Sequence, residues 1–109
     1  MSNVETSATS SSIRGSMDTA GSTSAITVRG SRLLDISIDF DTATAFVGTI
    51  DLERETYTGA GNINEWQIVE SYTASAEKVA QSATTRRYRL TATVTSGQCE
   101  YELTAGNFV

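Results

Sequence analysis

A chain of 109 residues without a histidine or a proline, and with a single cysteine, has room for one small domain and few of the usual tools of catalysis. The missing histidines remove the commonest general base, the commonest neutral metal ligand and the near-neutral pH switch. Cys99 alone permits neither an intrachain disulfide nor a cysteine-based zinc site, and a net charge of −5 argues against nucleic-acid binding across the surface and against a polybasic membrane contact.

No apolar run approaches the roughly 20 residues of a membrane helix. Met1–Ser12 has no apolar h-region, so no secretory signal is expected and synthesis is expected in the cytoplasm. Met1 to Ser24 is dominated by Ser, Thr and Gly, with Val4, Ile13 and Met17 as scattered apolar points. It shows neither the helical nor the strand period and reads as an extended N-terminal arm, a disordered tail being the alternative. Ordering such a segment costs roughly 1–2 kcal/mol per residue. Its few apolar side chains cannot return that, so a partner surface is expected to hold it, with Ile13, Arg14 and Met17 as the contacts.

From residue 25 to 109 the pattern is that of strands. Ala25–Gly30 is short, with Ile26 and Val28 on one face. Arg32–Phe40 alternates most cleanly, Leu34, Ile36, Ile38 and Phe40 inward against Asp35, Ser37 and Asp39. Phe46–Glu53 sends Phe46, Ile50 and Leu52 inward, and the return strand Glu65–Tyr72 is expected to bury Trp66, Ile68 and Tyr72, with Trp66 anchoring the core. The Gly- and Asn-rich stretch between them, including Tyr57, Gly59 and Gly61, reads as the hairpin turn. Thr73–Ser82 is expected to be an edge strand containing Val79, a single helical turn capped by Ser75 being the alternative. Arg87–Thr95 points Tyr88, Leu90 and Val94 inward; after a turn at Ser96–Gln98, Cys99, Tyr101 and Leu103 follow suit. If those two strands form a hairpin, Arg87 and Arg89 face Glu100 and Glu102. About seven short strands at regular spacing predict an all-β domain, an antiparallel β-sandwich or jelly-roll.

The candidate chemistry is thin. Asp35, Asp39 and Asp41, with Asp51, Glu53 and Glu55, line strand faces at a spacing of about 7 Å per step, too spread for calcium. Glu53 and Glu70 carry no glycosidase signature, and the Ser and Thr residues have no base to activate them. Arg86, Arg87 and Arg89 form the one basic cluster, suited to clamping an acidic partner or pairing with acids on a neighbouring strand. No catalytic residue, metal or cofactor is assigned.

The series Phe46–Arg54, Trp66–Ala74, Glu77–Val79, Arg86–Ala92 and Thr95–Gly97 resembles small β-rich virion proteins of tailed bacteriophages over about Phe46–Leu103. The resemblance implies a non-enzymatic structural role in the particle, often as a homotrimer or other oligomer. The expected role is a capsid decoration or cement protein bridging major capsid subunits; the alternatives are a neck, tail or fibre-attachment component, or a carbohydrate-binding module using Tyr57.

Overall fold

The computed structural model describes residues 3–56, 65–82 and 84–108. Among them there is no helix, and ten strands pack as two antiparallel five-stranded sheets. The strands are β1 (Val4–Ala8), β2 (Ser12–Met17), β3 (Gly21–Ser22), β4 (Ile26–Val28), β5 (Arg32–Asp39), β6 (Val47–Thr56), β7 (Glu65–Tyr72), β8 (Ala76–Gln81), β9 (Arg86–Ser96) and β10 (Cys99–Phe108). The first sheet runs β1-β2-β10-β5-β8; the second runs β3-β9-β6-β7, with β4 beside β3 on the same edge of β9. The edge strand expected around Val79 is β8, and the Phe46–Tyr72 hairpin is β6 and β7. The turn of that hairpin, Tyr57 included, lies outside the described residues.

Alternation builds the core. Across the first sheet, Ile13, Leu103 and Ile36 form one inward row, and Gly15, Tyr101, Ile38 and Ala76 the next. Across the second, Tyr72, Ile50 and Ala92 share a row, as do Ile26 and Tyr88. Phe40 and Phe46, edge to face at 4.7 Å, close one end where the chain passes from β5 to β6.

Three expectations are corrected. The segment 1–24 is not an arm lying on a partner: it supplies β1, β2 and β3, which account for the strands beyond the expected seven. Ile13 and Met17 are fully buried and so are core residues rather than partner contacts. Their alternation with Arg14 and Ser16 is a strand period, obscured because Gly15 occupies the intervening inward position: a Cβ there would lie 2.8 Å from the Tyr101 hydroxyl and 2.0 Å from the Val4 carbonyl oxygen.

Second, β9 and β10 are not a hairpin. The turn at Gly97, in the left-handed region at φ 79°, carries the chain from one sheet to the other. Arg87 and Arg89 therefore never face Glu100 and Glu102; their neighbours are on β6.

Third, Trp66 is only half-buried and Ile68 is exposed. The register of β7 slips between Leu52 and Glu53 of β6, leaving Val69 as an extra residue. A bulge of one residue reverses which face the following side chains take. Tyr72 and Glu70 therefore follow the inward phase, whereas Ile68 and Trp66 share the outer face with Glu53 and Glu55.

The two open sides of the sandwich differ. Where β1 meets β3 and β4, the Glu5 carboxylate accepts from the Ser24 amide at 2.6 Å and the Ser24 hydroxyl at 2.9 Å, and the Thr27 amide donates to the Ser10 carbonyl at 2.7 Å. Asn3 Oδ1 accepts from the Asp18 and Thr19 amides. On the β7–β8 side the Lys78 ammonium donates to the Glu70 carboxylate, which also accepts from the Tyr72 hydroxyl.

Candidate interaction surface

The outer face of the second sheet carries the most organised side-chain array. Strand alternation puts Asp51, Glu53 and Glu55 of β6 outward, and the register sets Glu53 opposite both Arg89 and Ile68. Arg89 Nε donates to Glu53 Oε1 at 2.7 Å, an oxygen that also accepts from the Thr91 hydroxyl at 2.7 Å. Arg87 grips Glu55 with two bonds, Nε to Oε1 at 3.2 Å and a terminal nitrogen to Oε2 at 3.0 Å. This bidentate match suits the planar guanidinium.

Trp66, brought outward by the bulge, lies against both arginines. The Arg89 guanidinium carbon is 4.2 Å from its ring centroid and that of Arg87 is 5.6 Å away. The guanidinium charge is attracted by the ring quadrupole, worth about 0.5–1 kcal/mol at an exposed site. Each side chain is thereby held by two kinds of contact, and the panel is a preformed, half-exposed combination of tryptophan and arginine. Those residue types dominate the energetics of protein–protein contacts.

The structure brings together Arg87 and Arg89 from the expected contact set and separates the rest. Arg86 takes the opposite phase, opposite Val28 at the sheet end, with a terminal nitrogen donating to the Thr85 carbonyl at 3.2 Å. Arg14 lies on the outer face of the other sheet, in a shallow groove of about 450 Å³ with Ser37, Asp39, Glu100 and Glu102. Simple alternation along Glu65–Tyr72 predicts a core place for Trp66; the signal for its real place is the matching spacing of Glu53 and Glu55 with Arg87 and Arg89, which marks an outer face rich in paired charge.

Ionisable groups in the core are displaced from their ordinary values. Burial pushes the Cys99 thiol up to about 11, and burial, with the Glu5 charge adding to it, pushes the Tyr101 hydroxyl up to about 12. At the β7–β8 mouth, hydrogen bonds from Lys78 and Tyr72 hold the Glu70 carboxyl below the usual range, and burial followed by that same bond raises the Tyr72 hydroxyl. A thiol held neutral in this way is a packing group and not a nucleophile.

No family model matches the sequence, and no curated protein or solved structure shows significant similarity to it.

Proposed function

We propose that this chain is a non-enzymatic structural protein of a tailed-bacteriophage virion, a capsid decoration or cement protein that bridges neighbouring major capsid subunits. The observation that carries the reading is the Trp66–Arg87–Arg89 panel. Its charged groups are already oriented by Glu53 and Glu55, so docking requires little further ordering of side chains. The all-β body and the resemblance of the sequence motifs over about Phe46–Leu103 to small virion proteins are consistent with the same reading. Individually weak contacts of this kind gain strength by repetition around the symmetry axes of a shell. A neck, tail or fibre-attachment role would use the same surface and differs in copy number.

The test is the stoichiometry and the attachment of the protein in purified particles. A decoration protein is expected in on the order of hundreds of copies, following the capsid lattice. A copy number matching a single ring at one vertex would replace this reading with the neck or tail one. Trp66→Ala is expected to weaken attachment by about tenfold or more, since truncating a central aromatic of a contact costs about 2 kcal/mol or more. Its effect on folding stability is expected to stay near 1 kcal/mol, because the ring packs on the outer face rather than in the core. Undiminished attachment of the variant would overturn the assignment of the panel.

A further inference from the structure

We infer that the β7–β8 side of the sandwich is a contact between two copies of this chain, related by a twofold axis parallel to the strands, in which β8 of each copy pairs with β7 of the other. The inference rests on the geometry of that side and is independent of where the protein works.

Both strands are sheet edges: among the described residues β7 pairs only with β6, and β8 only with β5. Unpaired edges that lie side by side offer backbone donors and acceptors to an incoming strand. The opposite side of the molecule is sewn shut by Glu5 and by the Thr27–Ser10 backbone bond, whereas here a cleft of about 230 Å³ reaches between the sheets to Leu34, Ile36, Leu52 and Tyr88. The large apolar side chains most exposed on this side are Ile68 at 57%, Val69 at 45% and Val79 at 61%.

The self-complementarity follows from heights and directions. Thr73–Ser75 joins β7 to β8, so the two strands run in opposite senses. The Lys78–Glu70 ion pair sets these two residues at one height. From there β8 runs forward to Val79 while β7 runs back to Val69 and Ile68, so the three apolar side chains share the next height. A twofold axis along the strands preserves height, exchanges the two layers and sets each β8 antiparallel to the partner copy's β7. Val79 of one copy then meets Ile68 of the other on the outer face of each continuous sheet.

Charge selects the same arrangement. An inward-pointing lysine on an edge normally bars an incoming strand. In the twofold pair each Lys78 finds a second Glu70, so the barrier falls for this partner and stands for others. The body measures 41 × 30 × 22 Å. Its narrow side offers on the order of 600–900 Å² per copy, the range of a standard stable interface.

The experiment is sedimentation velocity on the full chain over a roughly hundredfold concentration range, with circular dichroism as the control for folding. A monomer–dimer equilibrium is expected. Val79→Lys is expected to raise the dissociation constant by about tenfold or more, because the twofold axis repeats the Val79–Ile68 contact and the variant loses the apolar burial of both. Val4→Lys and Val47→Lys, which alter comparably exposed valines elsewhere, are expected to leave the equilibrium unchanged. A monomer at every concentration, a trimer, or a dimer sensitive to Val4→Lys or Val47→Lys and not to Val79→Lys would overturn the inference.

Discussion

At the scale of single residues, two inward positions of the first sheet hold polar atoms under constraint. Tyr101 fits because Gly15 opposite it has no side chain; a methyl group there would strike the Val4 carbonyl at 2.0 Å as well as the Tyr101 hydroxyl. Gly15→Ala is therefore expected to cost about 1–3 kcal/mol, as small-to-large changes in filled sites do. The urea midpoint reads that loss, and hydrogen exchange is expected to show Val4–Ala8 loosening first. Cys99 and Tyr101 also define an alkaline limit. Their protons are held to about 11 and about 12 in the fold but leave an unfolded chain near 9 and 10. Both values are raised, so the stability they contribute is complete below about pH 9 and is lost as pH climbs toward 12. Urea midpoints across that window are expected to fall, and Tyr101→Phe is expected to make the fall shallower. Midpoints independent of pH there would contradict the burial of both groups.

At the scale of elements, legibility followed the regularity of alternation. Arg32–Asp39 could be read from its side chains alone, since Leu34, Ile36 and Ile38 are large and lie between polar neighbours. Ser12–Met17 has the same period, but a glycine at its centre and serines around it conceal the apolar face. The β7 bulge was hidden for another reason: one extra residue is invisible in a list of alternating side chains until the partner strand is known. The same holds for Arg87 and Arg89. Their pairing with β6 rather than β10 depends on which sheet each strand joins, and a short turn at Gly97 serves a hairpin and a crossover between layers equally well. These corrections carry a consequence for deletion of residues 1–24. With β2 gone, Ile13 and Met17 leave the core and one side of β10 loses its partner. The truncated chain is expected to be unfolded by circular dichroism, because each of those buried side chains is worth about 2–5 kcal/mol, against a total stability of about 5–15 kcal/mol for a small domain. A cooperative thermal transition in the truncated chain would restore the reading of this segment as a dispensable arm.

At the scale of the whole molecule, consecutive strands rarely pair: β1 with β2 and β6 with β7 are hydrogen-bonded neighbours, while the chain otherwise steps between layers or along an edge. The panel around Trp66 depends on this, because β9 comes from a separated part of the sequence to lie beside the β6–β7 hairpin. The two sides of the body also differ in finish, one laced by Glu5 and Asn3 and the other spanned by Lys78 and Glu70. The flank spanned by Lys78 and Glu70 is also the one that exposes Ile68, Val69 and Val79.

The position of β10 in the first sheet governs how the protein can be made. It lies between β2 and β5, yet among the described strands it comes last in chain order. Until Cys99–Phe108 clears the ribosome, the chain lacks the ribbon against which its earliest and middle parts must align, and Ile13, Ile36 and Ile38 have no Leu103 or Tyr101 to pack against. Nascent chains stalled before residue 99 are therefore expected to be cut by protease throughout, with resistance appearing only after β10 has emerged.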